Sequence, residues 1–212
     1  MTPEELLKQV AAEAAVCTRC NLHFSRKKAV PGEGPANAEI MFIGEGPGFH
    51  ENEQGRPFVG AAGKFLEELL ASIGLKREQV FIGNVVKCRP PSNRDPMPEE
   101  LNACSEYLDR QIAAINPKVI VTLGRFSMAR FLPNAKISEI HGQAFQVKGH
   151  LVVPMFHPAA ALHQPSLKPY VVEDFNRLPD LISQATASQK PAEVEDQKPA
   201  EPKPEPKQLS LF

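Results

Sequence analysis

Four cysteines are the residues of this sequence with the plainest capacity for chemistry. Cys17 and Cys20 are separated by two residues, a spacing that lets one metal centre bind both thiolates. Cys88 and Cys104 lie much further along the chain, and together the four cysteines would complete a four-thiolate site for zinc or an iron–sulfur cluster. Spacing alone does not choose the metal. The alternative is that the thiols are small core residues, but the polar neighbours of Cys20 and Cys88 favour metal ligation.

Three other side chains stand in contexts that suit recognition of a nucleobase. Asn84 interrupts an apolar strand, where a buried amide needs partners; it is either a satisfied structural residue or a reader of a base edge. Residues 51–60 predict a long polar loop before a helix, and Phe58, the one aromatic ring in this loop, is either core packing or a stacking platform. His157 ends a strand and is followed by Pro158, which favours a role in a cleft over a purely structural one.

Alternating strands and helices must position these side chains. The first helix begins with a capping box at Thr2 and ends near Val16. Apolar runs predict buried strands, and amphipathic segments between them predict helices. The predicted strands are 40–43, 80–86, 119–123 and 151–154, with a hairpin strand at 143–147, and the other predicted helices are 63–74, 98–115, 125–131 and 168–184.

This alternation predicts an α/β fold of three layers, α/β/α, around a mainly parallel central sheet. Ligands of such sheets bind beyond the carboxyl ends of the strands. The glycine-rich turn 44–48, the segment 87–91 and the segment 157–159 all follow strands, so we expect them to meet at one cleft. The turn alone is weak evidence for phosphate binding, because it lacks the spacing of a nucleotide-binding loop.

Composition sets the domain organisation. The chain has 212 residues, of which 42% are hydrophobic and 23% charged, which predicts one globular domain over residues 1–184. Neither a membrane span nor a secretory signal is evident, so we expect a cytoplasmic protein without a membrane partner. The net charge of −1 means that any nucleic-acid contact needs a local patch, for which Lys87, Arg89 and Arg94 are candidates. Residues 185–207 are rich in proline and charge and predict a disordered tether.

Three segments, taken with the four cysteines, closely resemble a family 4 uracil-DNA glycosylase. They are GEGPGFHENEQGRPFVGAAG, NVVKCRPPSNR and FHPAAAL, which occur in this order at 44–63, 84–94 and 156–162. The resemblance implies the uracil-DNA glycosylase fold and an enzyme that removes uracil from single- or double-stranded DNA as a monomer, initiating base excision repair. It also implies a [4Fe-4S] cluster, held by Cys17, Cys20, Cys88 and Cys104.

The resemblance assigns roles to the base-binding residues. It implies that Phe58 stacks on a uracil flipped out of the helix and that Asn84 reads the polar edge of the base. His157 would donate a hydrogen bond to the uracil oxygen that gathers charge as the glycosidic bond breaks.

Further roles come from the same resemblance. Glu45 and Gly46 stand where the better-known family 1 enzymes have a Gln-Asp pair, so the water-orienting aspartate is absent and Glu45 is the first candidate to replace it. Glu51 would crowd the C5 edge of the base and exclude thymine. Leu162 resembles the wedge that fills the gap left by the flipped nucleotide.

Two rival functions remain open at this point. One is a relative that traps the sugar covalently through a histidine in an extra loop, against which the short, histidine-free segment 89–103 argues. The other is a non-catalytic iron–sulfur or zinc protein that binds nucleic acid.

The last five residues form a separate feature. Gln208, Leu209, Leu211 and Phe212 resemble the bacterial sliding-clamp binding motif, in which a glutamine and apolar side chains enter a pocket of the clamp. The alternative is that these apolar side chains fold back onto the domain.

Overall fold

The computed structural model describes residues 1–188. The last helix extends to Ser188, so residues 185–188 continue that helix and do not begin the predicted tether. The rest of the tether and the clamp motif at 208–212 lie outside the described residues. Within the described part, no helix combines the length and the apolar character needed to cross a membrane.

A five-stranded sheet forms the centre of the domain, in the order β2-β1-β3-β5-β4. The strands are β1 (Ile40–Gly44), β2 (Phe81–Asn84), β3 (Val119–Leu123), β4 (Phe145–Val147) and β5 (His150–Met155). All neighbours pair in parallel except β4, which runs antiparallel to β5 at one edge. The prediction of a mainly parallel sheet with a terminal hairpin is confirmed.

Eight helices accompany the sheet in the described residues. They are α1 (Pro3–Val16), α2 (Phe49–Gln54), α3 (Ala61–Ser72), α4 (Pro98–Ile115), α5 (Arg125–Ala129), α6 (Ile137–Ile140), α7 (Pro158–His163) and α8 (Lys168–Ser188). Short 3₁₀ turns lie between several of them. The predicted capping box opens α1: the Thr2 hydroxyl accepts from the Glu5 amide at 3.2 Å, and the Glu5 carboxylate accepts from the Thr2 amide at 2.7 Å.

Side chains alternate between the two faces of the buried sheet, and each face has its own helical layer. Ile40 and Phe42 of β1 pack with apolar residues of α3 and α8. Met41 and Ile43 point to the opposite face and pack with residues of α4. Because both faces are covered, the parallel strands read as continuous apolar runs. The three-layer α/β/α architecture is therefore confirmed.

A third, smaller core cluster joins α1 to α4 beside the sheet. Val10 and Ala14 of α1 pack with Tyr107 and Cys104 of α4. The Arg110 guanidinium donates to the Glu13 carboxylate and strengthens the same contact between the helices. This cluster brings the N-terminal cysteines to the end of β2.

Candidate active site

Three segments that follow β1, β2 and β5 meet at the carboxyl edge of the sheet, as expected. Hydrogen bonds from Val85 to the Gly44 carbonyl, at 3.0 Å, and from Val86 to the Glu45 carbonyl, at 3.1 Å, hold the first two segments side by side. The chain passes from β1 to β2 on one side and then to β3 on the other, and such a switch point is where α/β sheets bind ligands.

A cavity of about 380 Å³ opens at this edge, a size that suits a small ligand. It brings together all the predicted base-binding residues. Its lining includes Glu45, Gly46, Glu51, Phe58, Asn84 and His157, together with Asn93, Arg94 and His163, which sequence reasoning did not place there.

Asn84 presents an unpartnered acceptor to this cavity. The residue is 1% exposed, and its amide oxygen Oδ1 is buried without a hydrogen-bond partner. Buried polar atoms in native proteins nearly always have partners, so an orphaned acceptor in a cavity indicates that a ligand supplies the donor. The structural alternative for Asn84, a satisfied internal hydrogen bond, does not hold for this oxygen.

Gly44 at the end of β1 leaves the space that Asn84 and Phe58 occupy. A Cβ atom at position 44 would lie 2.5 Å from Asn84 Oδ1 and 2.7 Å from Phe58 Cζ. Gly46 makes a similar close approach, since a Cβ there would lie 2.9 Å from a methyl group of Val86. Gly44 thus leaves room for the Asn84 and Phe58 side chains, and Gly46 leaves room for Val86.

Phe58 lies on the loop between α2 and α3 in a left-handed conformation with φ of 50°. Its ring is 5% exposed and stacks on the His157 ring with centroids 5.5 Å apart. Arg77 holds the loop: its guanidinium donates to the Phe58 carbonyl at 3.0 Å and also to the Pro57 carbonyl. Arg77 could not be found from the sequence, because the carbonyls that it holds lie about twenty residues away along the chain.

Glu51 also stabilises the loop that carries Phe58. The sequence predicted a long polar loop here, but residues 49–54 form α2, because the Glu51 carboxylate caps it by accepting from the Gly48 amide at 3.1 Å. The other carboxylate oxygen accepts from the Val59 and Gly60 amides, each at 2.9 Å. Glu51 lines the cavity and orders the loop that carries Phe58.

His157 is held as a neutral ring with a defined tautomer. It is the N-cap residue of α7, and its Nδ1 accepts from the Ala159 amide at 3.1 Å. Burial lowers the pKa of the imidazole to about 4, although the nearby Glu51 carboxylate works in the opposite direction. With Nδ1 acting as acceptor in a neutral ring, the proton lies on Nε2, which is then a donor.

Glu45 is anchored at the start of α5. Its Oε1 accepts from the Phe126 amide at 3.1 Å. Burial raises the pKa of the Glu45 carboxyl, and this hydrogen bond from Phe126 opposes the increase. Gly124 is required beside it, since a Cβ there would lie 2.4 Å from Glu45 Oε1.

Leu162 stands at the rim of the cavity on α7. Leu162 is 43% exposed, and His163, which follows it, and Ala160, two residues before it, line the cavity. The helix α7 itself was not predicted, because the segment 158–163 is too short to show helical periodicity. An exposed leucine at this rim is accessible to a ligand that enters the cavity.

The four cysteines converge on one pocket between α1, α4 and the end of β2. Three of the sulfurs accept N–H donors: Cys104 from the Lys87 amide at 3.2 Å, Cys88 from Arg26 at 3.5 Å and Cys17 from the Arg19 amide at 3.5 Å. Among the described residues, however, no three histidine, cysteine or acidic side chains are arranged to hold a single metal ion.

The electrostatics of the pocket differ from one thiol to the next. Burial raises the pKa of the Cys104 thiol to about 11, and burial also raises the pKa of Cys88. For Cys17, burial acts to raise the pKa, but hydrogen bonds with Tyr107 and Arg19 outweigh it and the pKa is lowered. A bound metal centre would be needed to keep all four groups as thiolates.

Two candidates for the positive DNA-binding patch are corrected by the structure. Lys87 is fully buried. Its ammonium group donates to the Asn84 carbonyl at 2.9 Å and to the Gln111 side chain at 2.7 Å, and these hydrogen bonds make its burial possible. It cannot reach a phosphate, and burial lowers its pKa to about 8. Arg94 makes a two-point ion pair with the buried Glu100 carboxylate. The signal for this burial was the position of Lys87, which directly follows the predicted buried strand 80–86.

Comparison with known proteins agrees with this geometry. A family model of the uracil DNA glycosylase superfamily matches residues 31–178. A type-4 uracil-DNA glycosylase of Sulfurisphaera tokodaii is 49% identical over 185 residues, which are 82% of this chain and 84% of that relative.

Two further relatives carry the same description. The type-4 uracil-DNA glycosylase of Archaeoglobus fulgidus is 48% identical over 187 residues, covering 84% of this chain and 94% of the relative. That of Saccharolobus solfataricus is 48% identical over 187 residues, covering 84% and 87%. The chain therefore belongs to the type-4 uracil-DNA glycosylase family, within the uracil DNA glycosylase superfamily.

Proposed function

We propose that this protein hydrolyses the bond between uracil and deoxyribose in DNA and so initiates base excision repair. The observation that carries the proposal is the unpartnered Asn84 Oδ1 in the cavity. This acceptor selects a base edge that donates, and uracil offers its N3–H group, whereas cytosine presents a lone pair at the same position. A mismatched edge would leave the buried oxygen unpaired, at a cost of about 1–3 kcal/mol.

The other cavity residues supply the remaining functions of a glycosylase. The target base must leave the stack, and the Phe58 ring offers a stacking surface that offsets part of that cost. Negative charge develops on the departing base, and the neutral His157 can donate its Nε2 proton in a hydrogen bond to the base oxygen. Because Nδ1 is fixed by the Ala159 amide, this donor is oriented before DNA binds.

Glu45 is our candidate for positioning the attacking water. One carboxylate oxygen is fixed by the Phe126 amide and the residue lines the cavity. We expect Glu45→Gln to keep the fold but to lower the single-turnover rate by about 10²-fold or more, the usual range for loss of a positioned base. A Glu45→Gln enzyme that cleaves at the wild-type rate would assign the water to another group.

Glu51 and Leu162 have proposed roles in selecting and extruding the base. The Glu51 side chain would crowd a methyl group at the C5 position and exclude thymine, and Gly46 would admit the base by its small size. Leu162 would enter the gap left in the duplex. These roles are supported by the position of the residues around the cavity.

Uracil release from a single-stranded oligonucleotide is the decisive experiment. Free uracil formed over many turnovers, and lost in Asn84→Ala, would support the proposal. A single covalent adduct per chain would indicate the sugar-trapping relative, and binding without release would indicate a non-catalytic protein. Either of the last two outcomes overturns the proposal.

We also propose that Cys17, Cys20, Cys88 and Cys104 hold a [4Fe-4S] cluster. Their convergence on one pocket and the N–H donors around three sulfurs fit an anionic thiolate cluster. A tetrahedral zinc ion would need sulfurs only about 3.8 Å apart, and the described residues offer no such single-ion site. When bound, the cluster would supply a crosslink between α1, α4 and the end of β2.

Iron and acid-labile sulfide test this assignment. We expect a brown protein with about four of each per chain. A colourless, zinc-loaded protein that folds and releases uracil would refute the cluster while leaving the glycosylase proposal intact.

We further propose that the C-terminal residues Gln208, Leu209, Leu211 and Phe212 bind a sliding clamp, and that the enzyme acts as a cytoplasmic monomer. The support for clamp binding is the resemblance of the motif alone. Deleting residues 208–212 should abolish clamp binding and leave uracil release from free oligonucleotides unchanged. Loss of thermal stability on deletion, with no clamp binding by the full chain, would contradict the proposal.

A further inference from the structure

Two side chains at the rim of the cavity have no role in the function proposed above. Phe49 follows Gly48, and Arg89 precedes Pro90, and both Gly48 and Pro90 line the cavity. The guanidinium carbon of Arg89 lies 5.4 Å from the centroid of the Phe49 ring. The segments after β1 and β2 thus place an aromatic–arginine pair at the mouth of the site.

The exposure of Phe49 is unusual within this chain. It is 52% exposed and is one of seven large hydrophobic side chains that are exposed in the described residues. Three of the seven, Phe49, Met97 and Leu162, lie next to residues that line the cavity. Exposed apolar side chains gathered at a ligand site indicate a contact surface, whereas scattered ones do not.

Arg89 leaves positive charge at the same place. Other arginines near the cavity are neutralised by carboxylates, Arg94 by Glu100 and Arg125 by Asp95. Within the described residues Arg89 forms no ion pair; its Nε donates at 2.8 Å to the Asn93 side-chain oxygen, and Asn93 lines the cavity. The arginine is therefore held in place beside the ring with its charge available.

We propose that Phe49 and Arg89 form a stacking site for the base next to the uracil on the same DNA strand. This inference rests on the proposed function, because it places the uracil in the cavity and its neighbour at the rim. One face of the Phe49 ring is supported by Arg89, and the exposed part can take a base, while the guanidinium attracts the phosphate. A phenylalanine accepts any base by stacking, so the site holds DNA without reading its sequence.

Removing one base from the DNA and one ring from the protein tests the contact directly. The probes are single-stranded oligonucleotides that contain a cleavage-resistant fluorinated deoxyuridine. In one probe both neighbours of this nucleotide are normal; in the others an abasic site replaces the neighbour on the 5′ side or on the 3′ side. Removal of the neighbouring base on one side should weaken binding to the wild type about tenfold, in the range for stacking of one base on an aromatic side chain. The same removal should have no effect on binding to Phe49→Ala.

The controls separate this contact from general damage. Phe49→Tyr should respond to the abasic neighbour as the wild type does. Tyr170→Ala removes an aromatic ring of nearly equal exposure, 51%, on α8 and should also respond like the wild type. If Phe49→Ala keeps the wild-type response, or if the wild type is insensitive on both sides, the stacking site is wrong. Uracil release by the wild type is measured independently, so either result leaves the proposed function to its own test.

Discussion

The single hydrogen bond from the Ala159 amide to His157 determines what this histidine can do. Because the bond occupies Nδ1 and burial lowers the pKa to about 4, the ring is neutral and donates from Nε2 at ordinary pH. We predict that His157→Ala lowers the single-turnover rate of cleavage by about 10²- to 10³-fold. The wild-type rate should show no titration of His157 between pH 5.5 and 8, roughly the range above its lowered pKa.

The pH profile of single-turnover cleavage checks this prediction. A histidine that had to be protonated would give a rate that falls above its pKa, so a decline through pH 6–7 that disappears in His157→Ala would contradict it.

The burial of His157 also determines how the stability of the fold changes with pH. The unfolded histidine binds a proton near pH 6.5 and the folded one only near pH 4, so this residue destabilises the fold as pH falls through that window.

Substitution of Asn84 should lower activity but leave the stability of the fold nearly unchanged. Its Oδ1 has no partner in the free protein, so truncation removes an acceptor that already lacks a hydrogen bond. We predict that Asn84→Ala changes the free energy of unfolding by no more than about 1 kcal/mol, while cleavage falls even at saturating protein. Thermal melting and single-turnover kinetics on one preparation provide the measurement. A strongly destabilised variant would mean that the amide is structural.

The short helix α7 presents Leu162 to solvent beside the cavity. We predict that Leu162→Ala slows cleavage of uracil in duplex DNA more than in single strands, because only the duplex leaves a gap that needs filling. Parallel single-turnover assays on the two substrates measure the difference. Leu167→Ala is a control, since Leu167 lies just before α8 and its side chain packs against the core instead of facing solvent beside the cavity. Equal losses on both substrates would rule out a wedge.

Sequence patterns predicted the long elements well and the short ones poorly. The strand at 119–123 and the helix at 98–115 were predicted at their observed limits, because buried strands and amphipathic helices of this length carry clear periodicity. The six-residue helices α2 and α7 were missed. They are stabilised by caps, Glu51 and His157, whose side chains also belong to the site.

The residues of the site were also predicted only in part. Residue types at strand ends indicated Asn84, Phe58 and His157, and the structure brings them to one cavity. The support of the site depends on contacts distant in sequence, such as the hydrogen bonds from Arg77 to the Phe58 carbonyl and from Lys87 to the Gln111 side chain. No local pattern encodes such contacts.

The cysteine pocket joins the N-terminal helix to the rest of the domain. Cys17 follows the last residue of α1, and its pocket partners lie on α4 and after β2. We predict that Cys17→Ser lowers the midpoint of thermal unfolding by about 10 °C, equivalent to about 3 kcal/mol for a domain of this size. Activity should fall in proportion to the loss of folded protein.

Calorimetry and an active-site titration of the same sample measure the two effects. Thr18→Ser, at the exposed neighbouring position, is the matched control and should melt like the wild type. A Cys17→Ser protein with wild-type stability would show that the pocket is not a crosslink. Loss of activity in fully folded protein would instead assign the cysteines a direct part in catalysis.

Gly44 also limits how this enzyme can be redesigned. Any side chain there would meet both Asn84 Oδ1 and the Phe58 ring, so the two proposed base contacts depend on one backbone position. A variant library that aims at a larger or differently shaped base should therefore randomise positions 58 and 84 together and keep position 44 as glycine. Libraries that vary position 44 would be populated mainly by enzymes that have lost both contacts at once.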